Sequence, residues 1–199
     1  MSRDHSDYME YLKKHHETIH KVYKWMRENL PDIFEEAAKE RVSTDSQLYP
    51  FPKEIGQHDI SKYGQYEFDA YADKHCSKIL TPKQHTAYNY AQLHHHQKNA
   101  HHWQHWVLIK GRDQIRPLKM PLCYILEMVA DWWSYSWMLG DLYEVYTWYV
   151  SHQDEMILHR YTRKQVERIL SRIHDILVEH PELTPLPPVT TTDESDSDA

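Results

Sequence analysis

Apolar residues near the start of the chain recur at helical spacing. Tyr8, Tyr11, Leu12, Ile19, Val22 and Met26 fall on one stripe, the mark of a helix with one buried face. The spacing predicts a helix over 7–29, stopped by Pro31, which opens a second helix through Phe34 and Ala38. Residues 43–52 (STDSQLYPFP) read as a loop, and a third helix is predicted from about Glu54, carrying the block HDISK. Thr81-Pro82-Lys83-Gln84 has the form of a capping box with proline at the first helical position, so a helix should run from there to about His96. Residues 99–106 fit neither pattern, and 111–117 read as a loop. Pro121 opens a helix whose buried stripe is Leu122, Leu126, Val129, Trp133 and Trp137, ended by Gly140. A helix over 141–153 follows, and Thr162-Arg163-Lys164-Gln165 marks the start of the last one, which stops before Pro181.

These elements predict an all-α fold, a compact helical bundle over 1–182. From 183 to 199 the chain turns proline-rich and then acidic (TPLPPVTTTDESDSDA). That composition predicts a disordered acidic tail.

Composition narrows the function. The chain has 199 residues with a formal net charge of -7 and no basic stripe, which argues against a nucleic-acid duplex as partner. The opening MSRDHSDYME is too polar for a signal peptide. The most apolar stretch, 118–150, is broken by Lys119, Glu127, Asp131, Asp141 and Glu144, so no membrane span is expected. Two cysteines make no disulfide framework, and a cytoplasmic protein is expected. The departure from the ordinary is 17 histidines, placed internally rather than in a terminal run.

Four segments set ligand-type residues on faces that should be buried. His15 shares the stripe of the first helix, whereas His16 and His20 fall off it towards solvent. His58 and Asp59 form an adjacent pair with Lys62 one helical turn on. His95 continues the face of Tyr88 and Ala91, and Asn99 suits a turn that would swing His101 and His102 back to the same place. His94, His96 and His105 are the expected bystanders. Asp131 stands in an apolar helix beside two tryptophans, where a carboxylate needs a metal or an ionic partner. Glu127, one turn earlier, could support it.

In this order the residues resemble the HD-domain superfamily of metal-dependent enzymes. The matching set is His15, His58, Asp59, Lys62, His95, His101, His102 and Asp131. HDISK is similar to the HDxGK form of the cyclic-di-GMP phosphodiesterase and diiron oxygenase branches. HHxxxNxHHWQxW followed by EMxxDW resembles more narrowly a family of short, uncharacterised bacterial and phage proteins. The resemblance implies an HD-like bundle around two divalent ions (iron, manganese or zinc) bridged by Asp59. Ser61 replaces the glycine of HDxGK, and the glycine-rich block of the phosphodiesterase branch is absent, which argues against cyclic dinucleotides.

The chemistry expected of such a site is phosphohydrolysis of a nucleotide or other small phosphate ester, a small-molecule substrate. The ions would activate water, and Lys62 would stabilise phosphoryl charge. A diiron oxygenase acting on a small organic substrate is the alternative, and a helical binding protein with a structural metal is the third reading. A lysine beside two cations is tolerable only if something anionic lies between them.

Overall fold

In the computed structural model, residues 5–43 and 55–184 are described. The predicted loop therefore lies outside the described residues from 44 onward, as does the predicted tail from 185 onward. The order is α1 (Ser6–Asn29), α2 (Pro31–Ser43), two 3-10 turns (Ile55–Gln57 and Ile60–Tyr63), α3 (Phe68–Cys76) and α4 (Pro82–Lys98). A 3-10 turn at Trp103–Trp106 leads into strands β1 (Val107–Ile109) and β2 (Ile115–Pro117). Then come α5 (Leu122–Leu139), α6 (Glu144–His152) and α7 (Arg160–Glu179). The fold is all-α, with one small antiparallel hairpin pairing Val107 with Pro117 and Ile109 with Ile115.

Helix α5 is the centre. Tyr124 through Asp131, Trp133, Ser134 and Ser136 are all buried, as expected of a helix apolar nearly all round. Helices α1, α2, α6 and α7 pack on it. Leu12 and Ile19 of α1, and Ile169 and Ile173 of α7, are fully buried. Truncating a core ring such as Trp133, which has no exposed surface, would cost ~3–5 kcal/mol. Gly140 closes α5 with φ 79°, the left-handed cap that glycine adopts without Cβ strain. Thr81 and Gln84 form the predicted capping box of α4. Trp25 Nε1 donates to the carbonyl of Leu183 at 2.8 Å, tying the end of the described chain to α1.

Several sequence expectations need correction. No α-helix carries HDISK: Asp59 takes a left-handed conformation (φ 53°) and the backbone proceeds as a 3-10 turn. Helix α3 was not expected, because its apolar stripe of Phe68, Tyr71 and Ala72 spans little more than one turn and only Ala72 is fully buried. The expected loop over 111–117 contains β2 of the hairpin. Helix α7 begins two residues before Thr162, with His159 as N-cap accepting from the Tyr161 amide. Thr162 Oγ1 instead accepts from the Met120 amide at 3.2 Å. Trp137 is only partly buried.

Candidate metal centre

The site lies where α1, α4 and α5 meet the turn at 58–62. Helical periodicity aims His15 of α1 inward, and it is fully buried. His95 sits on the inner face near the end of α4, which Asn99 terminates as predicted. The chain then reverses, bringing His101 and His102 back beside His95, with ring centroids 6.4 and 4.7 Å away. Helix α5 contributes Glu127 and Asp131, one turn apart. The left-handed backbone at Asp59, unique among non-glycine residues of the described chain, costs ~1–3 kcal/mol. It directs the carboxylate into the cluster.

Asp59 divides this cluster in two. On one side, Oδ1 lies 3.2 Å from His95 Nε2 and 3.3 Å from His101 Nε2. His102 Nε2 is 2.8 Å from His95 Nε2. On the other side, Oδ2 lies 3.5 Å from His58 Nε2. His58 Nε2 is in turn 3.4 Å from His15 Nε2, and Asp131 Oδ1 lies 3.3 Å from His15 and 3.5 Å from His58. The sequence-predicted residues His15, His58, Asp59, His95, His101, His102 and Asp131 thus come together. Asp59, His95, His101 and His102 form one group able to hold a metal ion; His15, His58 and Asp59 form another. Asp131 is paired with histidines.

The atoms behind these rings decide which nitrogen faces the centre. His58 Nδ1 and His101 Nδ1 both donate to Glu127 Oε1, at 3.0 and 3.1 Å. His95 Nδ1 donates to Glu67 Oε2 at 2.8 Å. An ionised carboxylate only accepts, so each Nδ1 carries a hydrogen and Nε2 is the nitrogen that can offer a lone pair to the centre once it holds no proton of its own. Burial opposes ionisation of Glu127, but the bonds from His101 and His58 outweigh it and hold its pKa at about 2. Glu67 is shifted down in the same way, against burial, chiefly by His95. His15 Nδ1 meets Ser134 Oγ at 3.3 Å, and that hydroxyl donates to the Asp131 carbonyl.

The donor set fits a metal. Apart from an ion pair with Lys62, neither Asp59 oxygen accepts a hydrogen bond of good geometry among the described residues, and His101 Nε2 makes none either. Imidazole nitrogens and carboxylate oxygens lie close enough together to hold a metal ion, and the buried carboxylates need a cation or protons to neutralise them. Burial opposes charge on His58, but Asp59, Asp131 and Glu127 prevail and raise its pKa to about 10. In the metal-free protein, protons thus take the place of metal. Burial, with His101 and His95 adding to it, pushes His102 well below the usual range, so it stays neutral and able to ligate.

A family model matches residues 4–172. The chain belongs to DUF5662, a family of unknown function. No curated protein and no solved structure matches it.

Within this DUF5662 chain, three placements change the sequence reading. Lys62 Nζ contacts Asp59 Oδ2 directly, at 2.6 Å, because the turn rather than a helix brings them together. His16, expected in solvent, is half-buried, its ring centroid 6.3 Å from that of His58; burial and the neighbouring imidazole lower its pKa. His94 is tied to Glu67 Oε1 at 2.6 Å. Sequence reasoning missed Glu67, which has no spacing relation to any ligand. It also missed that Ser61 donates to Glu67 and accepts from Asn99. The only signal was Ser61 itself, a hydroxyl where the resembling motif has glycine. Among the described residues, no helix is long and apolar enough to cross a membrane.

Proposed function

We propose that this protein is a metal-dependent phosphohydrolase acting on a nucleotide or other small phosphate ester. The observation that carries the reading is Asp59, whose two oxygens each face a separate set of imidazole nitrogens. That is the arrangement of a carboxylate bridging two ions, and the ligand order resembles that of HD-domain enzymes. Bound there, divalent ions would polarise a phosphoryl oxygen and supply hydroxide near neutral pH. The chain's own residues do the rest. Glu127 and Glu67 hold three imidazoles in the ligating tautomer. Before a bound water gives up its proton, two divalent ions and Lys62 would bring five positive charges against the four carboxylates Asp59, Glu67, Glu127 and Asp131, a surplus of one that favours an anionic substrate. Lys62 spends one donor on Asp59 and has others to offer a phosphoryl oxygen.

The test is elemental analysis of the purified protein together with a phosphatase assay over nucleotides and small phosphate esters. About two divalent ions per chain and metal-activated phosphate release are expected. A metal-replete protein that releases no phosphate from any of them overturns the reading. The three imidazoles gathered at Asp59 Oδ1 favour a second reading, a diiron oxygenase, because nitrogen ligands suit iron. A mixed-valence iron signal in electron paramagnetic resonance, with substrate-dependent oxygen uptake, would select it.

A further inference from the structure

The phenol of Tyr8 is buried, and its hydroxyl has no hydrogen-bond partner among the described residues. Folded proteins pair nearly all such groups, so an orphan hydroxyl is costly unless something else claims it. Tyr11, its neighbour on α1, is satisfied by Tyr135 at 2.9 Å and leaves Tyr8 out. Its ring is fixed: Phe68 and His75 of α3 lie 5.5 and 5.6 Å from it. Leu12 and Ala72 complete a small apolar cluster separate from the main core.

Tyr8 stands two helical turns before His15 on the same face of α1, about 10 Å along the axis. Tyr71, which packs against this apolar cluster, has its ring centroid 5.6 Å from that of His95, so the cluster borders the centre. Burial pushes the pKa of Tyr8 far above the working range, so the hydroxyl keeps its proton beside an anion. Lys62 is held on Asp59 and 5.5 Å over the ring of Tyr71. A neutral donor and an ammonium on one side of the centre suit an oxyanion with several acceptor oxygens.

We propose that Tyr8 is a substrate-binding residue, its hydroxyl donating to a phosphoryl oxygen that also faces Lys62. This rests on the phosphohydrolase reading above. A phenol shut in by packing gives the seat selectivity, since a substrate offering no acceptor there leaves the hydroxyl unpaired.

The test titrates inorganic phosphate into the manganese-loaded full chain by calorimetry, comparing wild type with Tyr8→Phe. Tyr8→Phe removes only the oxygen. Phosphate binding should weaken about tenfold or more, as for loss of a hydrogen bond to a charged group. The melting temperature without phosphate should hold or rise, because the orphan hydroxyl is gone. Equal phosphate affinity in both proteins overturns the role of Tyr8 and leaves the phosphohydrolase reading standing. Weaker binding with a lowered melting temperature makes Tyr8 a scaffold residue and also overturns it. A manganese-loaded wild type that binds no phosphate overturns the phosphoryl reading and this inference together.

Discussion

Lys62 Nζ lies 2.6 Å from Asp59 Oδ2; the carboxylate is buried and the lysine side chain is mostly so. The anion that a lysine would need beside a pair of cations is therefore already present in Asp59, before any substrate arrives. Burial opposes charge on Lys62, but Asp59 outweighs it and keeps the ammonium protonated. Lys62 orients Asp59 and competes with a metal for the electrons of Oδ2.

Lys62→Ala should bind metal at least as tightly as wild type, because a competing cation is gone. Turnover of a phosphate ester should fall by about a hundredfold, as when one preorganised charge-stabilising group is removed. Lys62→Arg should recover part of the loss, since a planar fork does not reproduce a compact charge. Metal titration and steady-state kinetics on the three proteins check this. Full turnover in Lys62→Ala would reduce the lysine to a scaffold role.

Glu127 Oε1 is shared by His58 and His101, whose Nε2 atoms face different oxygens of Asp59. One carboxylate thus fixes the tautomer on both halves of the centre. Glu127→Ala should weaken metal binding at both halves, by about 10- to 100-fold. Competition with a chelator of known affinity measures it. Loss confined to one of two ions would show that only one ring depends on Glu127.

The long helices were legible in sequence because an apolar stripe and terminal signals agreed: Pro31, the Thr81–Gln84 box and Gly140 all act where expected. The inward placement of His15, His95 and Asp131, which stand on regular helices, was legible for the same reason. HDISK was misread because helical spacing assumes a helical backbone, and Asp59 departs from it. A left-handed aspartate is set by what its carboxylate meets, and those groups lie far off in sequence. Glu67 was invisible for a related cause. It acts on His95 across 28 positions, from a stretch with no periodicity. The hairpin was missed because its strands are three residues long and mostly exposed.

Metal binding should release protons at neutral pH. In the metal-free protein the pKa of His58 is raised from 6.5 to about 10: burial works against this, and Asp59, Asp131 and Glu127 prevail. The stability this adds to the metal-free protein is fully present below pH 6.5 and is lost as pH rises through about 10. Metal takes over from the protons, so the loaded protein should not decline across that window. Melting curves at pH 6.5 and 9.5, with and without manganese, should show the fall only without metal. Calorimetry in buffers of different ionisation enthalpy should register released protons. An identical fall in both forms would mean that metal does not replace the proton on His58.

Asp59 offers the sharpest test of the centre, because it has two separable duties. As a ligand it needs two anionic oxygens. As a backbone residue it must accept φ 53°, a region that asparagine and aspartate enter far more readily than other side chains. Asp59→Asn keeps the size and the backbone preference but replaces one oxygen by a donor amide. It should keep the helical content of wild type and lose bound metal from at least one half of the site. Asp59→Ala should lose metal from both halves and suffer an added backbone penalty of ~1–2 kcal/mol. For a chain of this size that is a fall of several degrees in melting temperature. Circular dichroism, melting curves and metal analysis of the two variants separate these effects. Should Asp59→Asn keep two ions per chain, Asp59 does not bridge them, and the division of the site about its carboxylate is wrong.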